Sequence, residues 1–516
     1  MGCVKQHEPC AFQLIFAELL RFSVVFPLGE AYKRHYQKKK PSKQRGLNPE
    51  SVIKTHIKIV FLLPVLLVTL GLLLASRAPA QTCTNLHNFG GSGDGFMPTA
   101  GLFLSGNTLY GTTIYGGAFG SGVVFAIRTD GTGYTILHCF SGQYSAPGGP
   151  PYDGARPNGS VILSGNTLYG TTTLGGTPIP PYQADGTVFA VNTDGTSLVA
   201  DTTLHPFIGS DGAEPQAALI LSGNTLYGTA YAAGTNNSGT VFAMPTDGSS
   251  FTVIYNFSAQ SLTNSDGANP LGGLVLSGNT LYGTADSGGT NGQGTVFRVN
   301  TDGSSFTNLH TFGSPGDGRL SRGGLVLSGN TLYGTTAGGG SFGWGTVFAV
   351  NTDGSGYTNL HNFAGNDGSG PSGSFVLSGK TLYGSAGGGS FGWGTVFAIN
   401  TDGTGFTNIY NFPAGTNGMG PNGGLVISGN TLYGTAGAGG AGTGEDSGTV
   451  FSLTVPITLF YQNIGSATVL SWNDPSFILQ AAPAVTGTYT NIPGVTSPYT
   501  NTITGPQQFF RLLVSQ

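Results

Sequence analysis

Three sets of side chains recur along this chain at spacings that could do chemistry. Aspartates come first. The pattern D-G-x-x-P occurs at Asp94/Pro98, Asp153/Pro157, Asp211/Pro215, Asp266/Pro270 and Asp367/Pro371; Asn417/Pro421 is a variant, and Asp317 lacks the proline. A ring of carboxylates near a central channel could hold a hard cation such as Ca²⁺, which takes several oxygen ligands. Return of the motif in every unit favours a plainer expectation, that each Asp caps its own Gly turn. No D-x-D-x-D-G loop supports calcium. Histidines form the second set, at His87, His138, His205, His310 and His361, with Tyr255 and Tyr410 in two units. Equivalent positions in different units cannot converge on one metal, so these are expected to be structural, hydrogen-bonded residues. The third set is the loop S-F-G-W-G, present only at Phe342/Trp344 and Phe391/Trp393. Exposed, such rings suit stacking on sugar faces or packing on a partner; the competing expectation is that Trp fills the gap between the fifth and sixth units. Because they depart from the repeat, these four aromatics are the expected ligand-binding residues.

No nucleophile and base stand at a recognisable spacing. H-E-x-x-H and the P-loop are missing from the sequence. A glycosidase needs two carboxylates at a set separation. Beyond residue 80 the only glutamates are Glu214 and Glu445, and Glu445-Asp446 reads as a solvated loop tip. The expectation is no catalytic residue, no metal and no cofactor, and a non-enzymatic binding or surface-scaffold module. The alternatives are a polysaccharide-active enzyme using long-loop carboxylates, or a purely structural surface protein.

The elements that must position these residues form a repeat. Residues 324–363 read GLVLSGNTLYGTTAGGGSFGWGTVFAVNTDGSGYTNLHNF, and the LYG tyrosine recurs at Tyr110, Tyr169, Tyr227, Tyr282, Tyr333, Tyr383 and Tyr433, with spacings of 59, 58, 55, 51, 50 and 50. Each unit predicts four short strands. S-G-N is a two-residue hairpin turn, and N-T-D-G is a turn in which Asp bonds its own backbone and Gly supplies positive φ. Four strands in about fifty residues is the period of a propeller blade. The two tight turns fall on one face and the two long loops on the other, so any site belongs to the long-loop face.

Counting strands predicts how the array ends. Fourth strands occur seven times, and the first, residues 83–89, precedes any complete unit, whereas the last unit lacks one. A seven-bladed β-propeller closed by the N-terminal strand uses every segment once; an open array leaves an orphan strand and an unpaired edge.

The strings LSGNTLYGT, GTVFAxNTDG and LHxF with the DGxxP loop carry a resemblance to the GloVer tandem-repeat family of exported bacterial proteins, over residues 81–455. The resemblance implies a propeller-like array outside the cytoplasm and brings no catalytic residues.

Composition fits export. Residues 1–80 hold 12 of the 19 Lys and Arg and 4 of the 23 Asp and Glu, a balance of +8, which leaves −12 for residues 81–516. An acidic mature part argues against nucleic acid as a partner. The basic stretch 32–45 and the apolar run Ile59–Ala75, followed by Ala78-Pro79-Ala80, read as a signal peptide cleaved before Gln81; uncleaved, 59–75 would be the only membrane contact. Cys83 and Cys139 lie at non-equivalent places on neighbouring units, too far apart for a disulfide, and are expected as free thiols. Residues 456–516 break the pattern into five predicted strands of a small β module, with Leu479-Gln480 and Phe510-Arg511-Leu512 resembling the C-terminal module of other exported repeat proteins. The expected product is a monomer, extracellular or in the cell envelope, with a polysaccharide or envelope component as partner.

Overall fold

The computed structural model describes residues 83–90, 93–142, 153–176, 185–196, 203–258, 264–415, 417–440 and 447–455, and then 460–464, 467–471, 477–483, 488–493, 499–502 and 509–514. The chain divides into two compact units, Met1–Ala78 and Pro79–Gln516, and the description below concerns the second. The basic leader and Ile59–Ala75 lie outside the described residues. Among the described residues no helix is long and apolar enough to cross a membrane.

The fold is all-β. Seven four-stranded antiparallel sheets follow one plan. They are numbered here by their second strands: Thr108–Thr113, Thr167–Thr172, Thr225–Ala230, Thr280–Ala285, Thr331–Thr336, Thr381–Ala386 and Thr431–Ala436. Sheet 5 is typical, with Val326–Ser328, Thr331–Thr336, Thr346–Asn351 and Thr358–Asn362 side by side in that order. Sheet 7 differs in one strand. Val426–Ser428, Thr431–Ala436 and Thr449–Thr454 take Cys83–Asn88 from the N-terminal end as their fourth, with Cys83 opposite Leu453 and Asn88 opposite Thr449.

The repeated words of the sequence are coupled by register. Gly334 of L-Y-G stands opposite Phe348 of T-V-F, and a Cβ on Gly334 would lie 2.5 Å from the Phe348 ring. The glycine is therefore the seat of the phenylalanine, and Gly111/Phe125 and Gly283/Phe297 repeat the pairing. A register shift between Val347 and Phe348 marks a bulge against the fourth strand, which adds twist.

The core lies between sheets rather than within them. Tyr333, Val347 and Phe363 of sheet 5 pack on Phe375, Leu382 and Phe397 of sheet 6. The same cluster forms between each consecutive pair, and Tyr433 and Val450 of sheet 7 pack on Leu102, Leu109 and Phe125 of sheet 1. A buried side chain of this size contributes about 1.5–3 kcal/mol. These clusters hold the long loops at a fixed spacing.

Among the described residues the C-terminal segment has six strands in two three-stranded sheets, where five strands were expected. Phe460–Ile464, Ala467–Ser471 and Tyr499–Thr502 form one; Thr490–Asn491, Phe477–Ala482 and Phe509–Val514 form the other. The Leu-Gln and Phe-Arg-Leu words face each other: Arg511 Nε donates to Gln480 Oε1 at 2.7 Å, and the Arg511 guanidinium lies 4.3 Å from the centre of the Tyr489 ring.

Candidate functional site

Both long loops of a sheet leave from the same end and pair there, as Ala268 with Ser287 and Met419 with Ala438. The D-G-x-x-P loop also bonds to the sheet before it. Gly370 N–H donates to Trp344 O at 2.9 Å, Gly420 N–H to Trp393 O at 2.8 Å, and Met97 N–H of sheet 1 to Ser447 O of sheet 7 at 3.2 Å. The donor residue is left-handed throughout, with φ of 53° to 58° at Met97, Arg156, Glu214, Asn269 and Leu320. The following proline then lies on the glycine of G-T-V-F in the sheet before: a Cβ on Gly394 would stand 2.2 Å from Pro421 Cδ, and one on Gly448 2.4 Å from Pro98 Cδ. D-G-x-x-P and G-T-V-F are thus two halves of one inter-sheet joint. Sheet 5 has Ser321 in place of the proline, and its hydroxyl donates to Thr335 O at 2.9 Å.

The aspartates do not line a ring of ligands, and their turn role differs from the expected one. Each lies beside a fourth strand, and five of the six accept from that strand's histidine, His87 with Asp94 at 3.0 Å, His138 with Asp153 at 2.6 Å, His205 with Asp211 at 2.9 Å, and His310 with Asp317 and His361 with Asp367 at 3.0 Å each. They also accept the first backbone N–H past the strand's terminal Phe, as at Gly90, Ser141, Ile208 and Ala364. The cap therefore sits on the strand exit; Asp317 also accepts from the N–H of its own Gly318. Where tyrosine replaces histidine, Tyr255 donates to Asp266 at 2.7 Å, and Asn417 donates to the Tyr410 hydroxyl at 2.8 Å.

Among the described residues five of these seven, His87, His205, Tyr255, His310 and His361, also stack on the aromatic that starts the next sheet's fourth strand. His310 lies 3.5 Å from Tyr357, His361 3.5 Å from Phe406, and Tyr255 4.0 Å from Phe306, ring centre to centre. Tyr357 then closes back on Asp317 at 2.5 Å. Burial would raise the Asp317 carboxyl, but its bonds from His310 and Tyr357 outweigh it, and the group is held below the ordinary range. Asp94 is lowered in the same way, burial being outweighed by His87, the Gly90 N–H and Tyr134. Burial lowers His361 despite Asp367. The histidines are structural members of a belt joining the sheets. Among the described residues no group of three or more His, Cys, Asp or Glu could hold a metal ion.

The aromatic loops stand apart from that belt. Phe342 is 62% exposed, Phe391 61%, Trp344 52% and Trp393 45%. The Trp residues do not fill the gap between sheets. The Trp344 indole instead lies across Gly365 of sheet 6, where a Cβ would stand 3.4 Å from Nε1, so one part of the ring packs and the rest faces solvent. Phe119 of sheet 1, 52% exposed, is a third aromatic tip that sequence reasoning passed over. The signal was G-A-F-G-S-G, which aligns with G-S-F-G-W-G once Ser121 is set against Trp344. Sheets 3 and 4 carry asparagine at this tip, folded back: Asn236 Nδ2 donates to Phe257 O at 3.0 Å and Asn291 Nδ2 to Phe312 O at 3.2 Å.

Cys83 and Cys139 are free and half-buried. Cys83 takes the stacking position beside Tyr410; burial pushes its thiol up to about 11 against the Tyr410 hydrogen bond. Glu445-Asp446 lies outside the described residues.

A family model described as the Gloeobacter/Verrucomicrobia repeat matches residues 149–336 and again residues 314–500. None of the curated proteins matches the chain. Among solved structures the chain is similar to an oligogalacturonate lyase in complex with manganese (11% identity, 74% of this chain and 94% of that one, TM-score 0.43). It is also similar to the oligogalacturonate lyase of Vibrio parahaemolyticus (8%, 74% and 95%, TM-score 0.44) and to a 6-phosphogluconolactonase-like protein of Bacteroides fragilis (16%, 80% and 98%, TM-score 0.40). At these values the likenesses carry no argument about chemistry.

Proposed function

The chain belongs to the Gloeobacter/Verrucomicrobia repeat family, and on that premise we propose that it is an exported, non-enzymatic binding or surface-scaffold protein whose ligand is a carbohydrate or envelope polymer. The observation that carries this reading is the exposure of Phe342, Trp344, Phe391 and Trp393 at the same loop of two consecutive sheets. Flat apolar rings in an uncharged, glycine-rich loop suit the C–H faces of sugar rings. Two identical loops on adjacent sheets offer a repeated contact, which suits a polymer of repeated units.

The array itself is read as a closed seven-bladed β-propeller over residues 81–455, followed by the small β module 456–516. Support comes from the pairing of Cys83–Asn88 with Thr449–Thr454, the 2.7 Å bond from Thr435 Oγ1 to Ala100 O, and the packing of Tyr433 on Phe125. Pairing with Cys83–Asn88 covers the edge of Thr449–Thr454, and closure leaves no apolar sheet face bare between the last and first members. Export rests on the basic leader and on Ala78-Pro79-Ala80, and N-terminal sequencing of the released protein should begin at Gln81.

Titration calorimetry of the full-length protein against a panel of polysaccharides tests the function. At least one neutral polymer should bind, and Trp344→Ala/Trp393→Ala should weaken it roughly tenfold or more at unchanged melting temperature, as expected for two aromatic contacts of about 0.5–1.5 kcal/mol each. A blank panel, or binding indifferent to the double variant, overturns the reading.

A further inference from the structure

Three positions of each sheet meet at the inner side of the long-loop end: the left-handed residue of D-G-x-x-P, the residue after the proline, and the residue leaving the second strand. The first and third are joined by backbone, as Tyr231 N–H to Glu214 O at 3.3 Å and Asp286 N–H to Asn269 O at 3.0 Å. Those after the proline touch from sheet to sheet: Thr99 Oγ1 donates to Asn158 Oδ1 at 2.7 Å, and Asn158 Nδ2 to Gln216 Oε1 at 3.3 Å. These side chains therefore converge, unlike the His and Asp pairs at the outer strands.

Most of these positions are neutral. Sheets 6 and 7 place only Gly370, Gly387, Gly420, Gly437, Ser372 and Asn422 there. Sheets 3, 4 and 5 instead bring Glu214, Tyr231, Asp286 and Arg322 together. Arg322 Nε donates to Asp286 Oδ1 at 3.0 Å across sheets 5 and 4, the one ion pair without histidine among the described residues. Asn269 Nδ2 reaches Tyr231 O at 3.0 Å across sheets 4 and 3, and Ser287 Oγ fixes Asn269 at 2.7 Å. The Tyr231 phenol is raised by burial and by the nearby carboxylates of Asp286 and Glu214, with Arg322 opposing, so the four groups share one field.

The repeat does not require these groups: in the other sheets the Glu214 position holds methionine, arginine, asparagine, leucine or glycine, the Tyr231 and Asp286 position isoleucine, threonine, alanine or glycine, and the Arg322 position threonine, asparagine, glutamine, leucine or serine. We infer that Glu214, Tyr231, Asp286 and Arg322 form a second binding site, one that takes the hydroxyls of a neutral saccharide. Its ligand class rests on the preceding reading; its place does not. Asp286 is buried, and its partner Arg322 keeps 44% of its side chain exposed. The arrangement offers carboxylate acceptors, guanidinium donors and an aromatic edge within three sheets. Vicinal hydroxyls, each both donor and acceptor, match such a mixture. Two carboxylates against one guanidinium disfavour a uronate.

Titration of the full-length protein with cellohexaose, xylohexaose, mannohexaose and hexagalacturonate tests this, beside Glu214→Gln, Arg322→Leu and Trp344→Ala/Trp393→Ala. Glu214→Gln keeps size and hydrogen-bonding shape, so it guards against loss of fold in Arg322→Leu. The expected result is binding of a neutral hexaose, weakened at least tenfold in Glu214→Gln and in Arg322→Leu at unchanged melting temperature. Loss in the Trp variant alone upholds the aromatic loops and overturns this site. Loss in the Glu214 and Arg322 variants alone upholds this site and overturns the loops. Preference for hexagalacturonate, or no binding of any hexaose, overturns the site.

Discussion

The loops after the second strands of sheets 4 and 5 are built on one frame and end differently. In sheet 4, Asn291 turns its amide back onto Phe312 O, and the tip has no ring to offer. In sheet 5 the same place holds Phe342, 62% exposed, with Trp344 two residues on. The glycines around them are shared, Gly288 and Gly294 matching Gly339 and Gly345 in left-handed φ. The carbonyls at Gln293 and Trp344 both accept from the next sheet, at 3.2 and 2.9 Å. Only the side chains differ. The frame belongs to the joint and carries stability, and the tip is left free to vary.

That division can be broken from the frame side first. Removing residues 83–89 takes the fourth strand and Phe89 from sheet 7, and should abolish a single cooperative melt. Melting like the parent would refute the closure. Gly394→Val sets a branched side chain where φ is +113° and Pro421 Cδ is 2.2 Å from the Cβ site; a loss of about 2–4 kcal/mol is expected by denaturant titration, against near neutrality at an exposed tip residue. His310→Ala leaves Asp317 short of its partner in a nearly buried place, with an expected loss of about 1–3 kcal/mol.

Acid should act on the same belt. His361 is lowered in the folded protein, so its contribution is present above the unfolded value of about 6.5 and is lost as pH falls through the folded one. Asp94 and Asp317 are lowered too, and their contributions are present above about 3.9 and are lost below it. Melting temperature should therefore fall in two stages on acidification, and His361→Gln should flatten the upper stage. A flat profile from pH 7 to 3 would contradict the belt's electrostatics. The smallest effect is expected at the tip, where Phe119→Ser should change stability by no more than about 0.5 kcal/mol.

How much could be read beforehand follows the same division. Strands and turns were legible because hydrophobic alternation and turn residues recur in seven copies, and the lone strand at Cys83–Asn88 was legible because the last unit lacks one. The joint was not. Pro421 meets Gly394 across a sheet boundary, and no local pattern announces a contact that depends on inter-sheet packing. The His–Asp bond was hidden by loops of changing length, 6 residues between His205 and Asp211 but 15 between His138 and Asp153. A trace of it was present in the exchange of Tyr410 and Asn417 for His and Asp together. In the last segment, Tyr499–Thr502 escaped notice because it follows Pro498 in turn-like composition. The aromatic tips of sheets 5 and 6 were found by their departure from the repeat, Phe119 was passed over because its loop lacks the tryptophan, and the charged cluster of sheets 3 to 5 was missed because its members belong to different words.

One exchange tests the central claim most directly. Phe342→Asn, Trp344→Gln, Phe391→Asn and Trp393→Gln together give sheets 5 and 6 the tips of sheet 4, and melting temperature and polysaccharide binding are then measured on the same preparation. The account predicts a melting temperature close to the parent's and binding reduced at least tenfold. A protein that melts far lower would show that these rings belong to the frame, and one that binds as before would show that they are not the ligand's contact.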